Sequence, residues 1–374
     1  MTHLKPPEVR LIEAIASRAP ELQLNSCMAS LKPLFRTAIQ KDPRILAFLS
    51  GYQARSVRGA LPLSHDYTIL LRYREDGADA LDDVIVDQGS WDPASLFTGG
   101  RPREAMVATT DVPGLRARLS EKADMLIGRY EGFCGWSSSS SGFDELSDWQ
   151  VVQVGFQTLL PEPQLRQCQS KAAFAARTIW HDILGRARVP KFVMPFLAFS
   201  WLSQECLYDQ RAYDEAKDSP DRAPSDPVVH LACGPLVERR GICGGFAWAF
   251  KYLMDEAGIP CLCVPGSLRK NGAPGWQDGS WSTTHMWNLV QINGQYYHVD
   301  ATQDVRGDSV MVAQMMQPDA MFASTHLWDR SAVPTAVGTR FDYDFVENYL
   351  AENGQQFLDD GASERYFFPR QIID

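Results

Sequence analysis

The chain has 374 residues, 45% of them hydrophobic and 22% charged, with a net charge of −10. That length allows a large core in two domains or one elaborated domain, and the composition is that of an ordinary globular protein. The negative balance argues against a general binder of nucleic acid or anionic membrane.

The opening segment, Met1–Arg10, has no apolar h-region, so no classical secretory signal is expected. The expected location is the cytoplasm, or outside the cell by a route that uses no such signal. Residues 8 to 50 read as helical, with breaks near Pro20, Pro33 and Pro43. Thr68–Tyr73 and Val84–Asp87 read as strands, and Ser137–Gly142, five serines and a glycine, as a flexible tip or linker. Trp149 to Leu160 is extended or a strand pair. A soft domain boundary falls near 165, leaving 1–165 as a mixed α/β region of recognition or packing role, 166–340 as a second domain and 341–374 as an extension. The apolar run Val193–Leu202 is too short to span a membrane and is interrupted by Pro195, so a core helix is expected.

The region from Cys243 to Ala257 has apolar residues at 246, 250, 253, 254 and 257, the three- and four-residue steps of one buried helix stripe. Gly258 suits the αL position just past the helix end, and Pro260 prevents resumption. Cys243 therefore falls in the first turn, where the helix dipole favours a thiolate, the nucleophilic form of cysteine. Gly244 and Gly245 remove side chains beside the sulfur, leaving room for a substrate carbonyl, at a cost of about 1 kcal/mol each against alanine.

Thr284–Ile292 and Gln295–Thr302 flank Asn293-Gly294, a two-residue type I′ hairpin signal. If that turn forms, Ile292 faces Gln295, Trp287 faces Asp300 and His285 faces Thr302. Strand side chains alternate, so Asp300 becomes a diagonal neighbour of His285 on one face, roughly 7–8 Å between backbones. An acid so placed can accept one imidazole N–H and leave the other nitrogen for a thiol. His298 shares that face, opposite Leu289. His230, His326 and His181 read as caps or buried hydrogen-bonded rings. Trp287 either shields the His–Asp contact from water or packs.

The eight cysteines, at 27, 134, 168, 206, 233, 243, 261 and 263, have neither a disulfide-framework nor a zinc spacing. A zinc site from His230, Cys233, Cys243, Cys261 and Cys263 is the weaker reading against small buried hydrophobes, and Cys261 and Cys263 should point to one face. No metal and no organic cofactor is expected. The glycine-rich stretch from Ser267 to Thr283 ends beside His285, and Trp276 and Trp281 mark it as a candidate substrate rim. Asp218–Pro227 reads as a solvated connector.

Three segments together, Arg240-Gly-Ile-Cys-Gly-Gly-Phe246, Thr284-His-Met-Trp-Asn288 and Tyr296-Tyr-His-Val-Asp-Ala-Thr302, resemble the transglutaminase-like superfamily of papain-type cysteine enzymes, in its bacterial branch. Ile259–Gly266, Ile179–Leu184 with Tyr208-Asp209, Met316–Met321 and His326–Asp329 with Pro334 extend the likeness over about residues 170 to 335. The resemblance implies an α+β fold with a papain-like core, in which the nucleophile helix packs on an antiparallel sheet, here behind an N-terminal α/β extension. It implies Cys243 as nucleophile, His285 as base and Asp300 as orienting acid. It also implies attack on an amide of a peptide or protein through a thioester, with hydrolysis (protease, amidase or deamidase) favoured over crosslinking, and with inactive binding modules among the relatives. Arylamine acetyltransferases share the arrangement, but Gly244-Gly245-Phe246 and His285–Asn288 fit them less well. An oxyanion hole would take the Cys243 N–H and a second donor from Trp201, Tyr208 or Tyr213.

Overall fold

The predicted helix and hairpin are both present, and each ends where its sequence says it must. The computed structural model describes all residues except 1–4, 27–29, 59–64, 76, 97–102, 143–145, 185–188, 219–222, 269–284, 303–313, 360–362 and 368–374. The chain divides into two units, 1–123 with 135–157, and 124–134 with 158–374. The division thus falls earlier than 165, and 124–134 goes with the second unit for a packing reason. Within that unit Glu131 accepts the Ala232 N–H at 2.8 Å and the Tyr252 hydroxyl at 2.8 Å.

The first unit contains α1 (Pro7–Ala16), β1 (Glu21–Ser26), α2 (Lys32–Lys41), β2 (Leu49–Arg58), β3 (His65–Tyr73), β4 (Val84–Asp87), β5 (Ala105–Thr109), most of α3 (Val112–Ile127) and of β6 (Phe133–Gly142), and β7 (Gln150–Thr158). Two sheets form, in the orders β1-β3-β2 and β4-β5-β7-β6. Three expectations for this region change. Glu21–Ser26 is a strand, with Leu24 buried between exposed Gln23 and Asn25, and Pro33 lies in the first turn of α2 instead of breaking it. The serine run is no linker but part of β6, the edge strand of its sheet, beside β7. Its side chains are largely exposed, so it carries no apolar alternation to read.

The second unit contains α4 (Glu162–Leu184), α5 (Met194–Glu205), β8 (Leu207–Tyr208), α6 (Gln210–Asp218), β9 (Arg240–Gly241), α7 (Cys243–Glu256), β10 (Cys261–Leu268), β11 (His285–Ile292), β12 (Gln295–Val299), β13 (Met315–Gln317), α8 (Asp319–Phe322), β14 (His326–Leu327), α9 (Tyr343–Asp359) and α10 (Glu364–Phe367). The architecture is α+β. A five-stranded sheet in the order β13-β12-β11-β10-β14 is antiparallel throughout, and α7 packs against it. Phe246, Ala247, Phe250, Leu253 and Met254 share one core with Cys261, Cys263, Val290 and Ile292. The segment from Phe341 to Phe367 is not an appendage where it is described: Phe341, Tyr343, Val346, Leu350, Phe357 and Phe367 are buried in that same core.

The helix stop is a full Schellman motif. Gly258 has φ +65°, its N–H donates to the Asp255 carbonyl at 3.0 Å, and the Ile259 N–H donates to the Met254 carbonyl at 2.9 Å. The hairpin turn has φ +50° at Asn293 and +81° at Gly294, both positive as a type I′ turn requires. Ile292 faces Gln295, Leu289 faces His298 and Asn288 faces Val299, the expected register. No helix among the described residues is long and apolar enough to cross a membrane.

Candidate active site

Cys243 is the first residue of α7 and is buried, behind the extended Ile242. The approach to it is held from outside. β9 pairs with β8 in parallel, Tyr208 facing Gly241, and the Arg240 guanidinium bridges Asp209 at 2.8 Å, Glu238 at 3.1 Å and Asp226. The Ile242 N–H donates to the Val229 carbonyl at 3.0 Å, so residues 227–230 lie across the start of α7. This crossing explains Gly245. A Cβ there would sit 2.2 Å from the Val229 oxygen, whereas one on Gly244 would meet only the His230 oxygen, at 3.5 Å. Gly245 is thus demanded by packing, and only Gly244 leaves space beside the sulfur.

β11 carries His285 and β12 leads into Asp300. The His285 Nε2 is 2.7 Å from Asp300 Oδ2, both groups buried, and the Cys243 thiol acts electrostatically on the same ring. With Nε2 committed to the acid, Nδ1 is the nitrogen left for the thiol. Burial by itself would push His285 down, but the Asp300 charge and hydrogen bond outweigh it and hold the imidazolium up to about 10. The converse holds at Asp300. Burial disfavours its charge, yet His285 and His326 keep the carboxyl well below the usual carboxylate range.

Two residues touch Asp300 directly that were given no part in the site: Thr302, expected only opposite His285 in the register, and His326, expected as a structural ring. The Thr302 N–H donates to Oδ1 at 3.0 Å and its hydroxyl donates to the same oxygen. His326 Nε2 lies 3.2 Å from Oδ2. Thr302 was legible as the Asx-turn partner two residues beyond an aspartate. No local signal marks His326, because β14 reaches the site only through its pairing with β10, Leu268 facing His326.

Asn288 closes the frame. Its Nδ2 donates to the Ala247 carbonyl at 2.9 Å, tying the strand of His285 to the helix of Cys243 one turn past the thiol. The indole of Trp287 is buried 6.0 Å from the His285 ring and 4.8 Å from His326, and its N–H donates to His298 Nδ1 at 3.1 Å. Gly266 makes room for it, since a Cβ there would come within 2.5 Å of the indole. His298 in turn donates from Nε2 to Asp319 at 2.9 Å, and burial pushes it down to about 4 despite that acid, so it is a neutral structural ring.

The other candidates separate. Tyr208 is half-buried, 6.4 Å from Phe246 and 6.0 Å from Tyr213, beside the strand that delivers Cys243. Trp201 is buried in the helical core with the Arg239 guanidinium 4.3 Å above its ring. Trp276 and Trp281 lie outside the described residues. Cys261 and Cys263 do share a side, both within reach of the Asn288 amide. Burial pushes these two thiols up, and Cys206 and Cys233 up to about 12, the state of inert core thiols. Among the described residues the one cluster with metal-like donor spacing is not the cysteine set but His285, Asp300 and His326, within 4.8 Å of one another. Both rings aim Nε2 at the same carboxylate oxygen, so hydrogen bonds account for this cluster without an ion.

Residues 197–301 match the transglutaminase-like superfamily. A stretch of 102 residues is 30% identical to kyphoscoliosis peptidase of mouse and of human, covering 27% of this chain but only 14% of each relative. Two solved structures are more distant. A chain provisionally described as a cysteine protease, from Cytophaga hutchinsonii, is 14% identical with TM-score 0.26, covering 46% of this chain and 66% of its own. A chain described as a TGase is 11% identical with TM-score 0.26, covering 65% and 63%. Likenesses that remote bear on no step of the chemistry.

Proposed function

From a chain whose residues 197–301 carry a transglutaminase-like domain, we propose a cysteine-dependent acyl-transfer enzyme that attacks an amide of a peptide or protein and passes the acyl group to water. The observation that carries this reading is the buried cluster in which His285 Nε2 sits 2.7 Å from Asp300 and the ring also feels the buried Cys243 thiol. Cys243 is the nucleophile, His285 the proton carrier and Asp300 the group that fixes the ring.

In the reactive ion pair His285 already carries the proton, and in the first half-reaction the Cys243 thiolate sulfur adds to the amide carbonyl carbon. The C–N bond then breaks, with the proton passing from His285 to the departing amine. In the second, His285 takes a proton from water, the hydroxide oxygen adds to the thioester, and the C–S bond breaks to release the acid and restore the Cys243 thiolate beside the His285 imidazolium. Backbone N–H groups of a first helical turn lack intrahelical partners, which suits that of Cys243 to the oxyanion. Tyr208, paired opposite Gly241, is the second donor its place favours. Hydrolysis is favoured over crosslinking because the curated relatives are peptidases by name.

Two measurements test this. Iodoacetamide should label Cys243 selectively below pH 8, and the selectivity should vanish in His285→Ala; labelling no faster than at the remaining cysteines defeats the reading. Mass spectrometry of peptides and proteins incubated with wild type and Cys243→Ala then identifies the product. Backbone cleavage or deamidation supports hydrolysis, and crosslinked species overturn it in favour of transfer to an amine.

A further inference from the structure

Asp300 is held from four directions, and only three of them come from its own hairpin. Thr302 gives its N–H and hydroxyl to Oδ1, and His285 faces Oδ2. The fourth is His326, fully buried on β14, with Nε2 3.2 Å from Oδ2. Its surroundings fix its hydrogen. A carboxylate only accepts, so Nε2 must carry the N–H. Burial pushes this ring down, so it is neutral and Nδ1 is left as an acceptor, 2.8 Å from the Thr325 hydroxyl. Phe322 stacks on the ring at 3.8 Å with 17° between planes, and Trp287 meets it edge-on at 4.8 Å.

We propose that His326 is a positioning residue, a fixed neutral donor that ties down Oδ2 of Asp300 and sets how firmly that carboxylate holds His285. The inference rests on the reading of Cys243 and His285 as the reacting pair. The charged and titratable groups around it are His285 on β11, with Cys243 beyond it, His298 on β12 with Asp319 on α8, and Arg330 after β14. The Phe322 carbonyl also faces the ring. Two donors share Oδ2, so each takes part of its basicity. Removing His326 leaves the whole of it to His285 and makes the imidazolium harder to deprotonate.

The test is NMR of ring-labelled histidines in the full chain. In wild type His326 should be the neutral Nε2–H tautomer while His285 is charged. In His326→Phe the alkaline midpoint of His285 should rise by about 0.5–1 pH unit, roughly a 3- to 10-fold gain in proton affinity. His326→Gln, which keeps an N–H near the Nε2 position, should stay within about 0.3 unit of wild type. An unmoved midpoint in a folded His326→Phe overturns the proposal. So does an Nδ1–H tautomer in the wild type, a result that needs no variant to fold. If iodoacetamide shows no selectivity for Cys243 while the His285 midpoint still follows residue 326, the enzymatic reading fails and the positioning role stands.

Discussion

At the scale of single residues, the site is a charge arrangement set by who donates to whom. Asp300→Asn removes the charge that holds His285 up, and burial then drives the ring below its ordinary value of 6.5 instead of up to about 10. The imidazolium that stabilises a Cys243 thiolate is then lost at neutral pH, so selective labelling of Cys243 should disappear and turnover should fall on the order of 10²- to 10⁴-fold. Stability follows with a definite sign. His285, raised on folding, contributes fully below about pH 6.5 and loses that contribution as the pH climbs through about 10. Asp300, lowered on folding, contributes above its ordinary 3.8 and loses it on acidification. The stability gap between wild type and Asp300→Asn, measured by denaturant unfolding, should therefore be widest between those two values and narrow on both sides. Cys243, His285 and Asp300 were readable because a helix start and a tight turn are local signals. His326 and Asn288 were not assigned these contacts, since each depends on which element packs alongside.

At the scale of elements, the paired glycines after the thiol do different work. Gly245→Ala puts a methyl group 2.2 Å from the Val229 carbonyl and should shift the 227–230 crossing or unfold the helix start, lowering the melting temperature sharply. Gly244→Ala meets only an ordinary contact at 3.5 Å. It should gain up to about 1 kcal/mol of helix propensity while slowing amide turnover, because its new methyl enters the space beside the sulfur. Thermal melts paired with activity separate the two, and equal loss of stability in both variants would refute the assignment. The hairpin shows why register was legible. Asn293 and Gly294 adopt the two positive φ values, and an offset of one residue would have sent His285 and Asp300 to the face opposite their partners. The serine run of β6 shows the limit, for a strand exposed along most of its length carries no burial pattern.

At the scale of the whole chain, the second unit is larger than its recognisable segment. Val346, Leu350 and Phe357 of α9 are buried in the core that also holds α7. Each large-to-small change there should cost about 2–5 kcal/mol, so cutting the chain before Tyr343 should exceed the 5–15 kcal/mol margin of a typical domain. A chain ending at residue 340 that still unfolds cooperatively at the wild-type midpoint would contradict this. The sequence by itself determined the helix that begins at Cys243 and the hairpin that aligns His285 with Asp300, because caps, turns and side-chain periodicity act within a few residues. Tertiary structure alone decided that Gly245 answers to Val229, that Asn288 joins the helix to the strand, that the C-terminal helix belongs to the core, and that a second histidine reaches the acid. Those outcomes depend on which surfaces meet across long stretches of chain, and no local pattern encodes such a meeting.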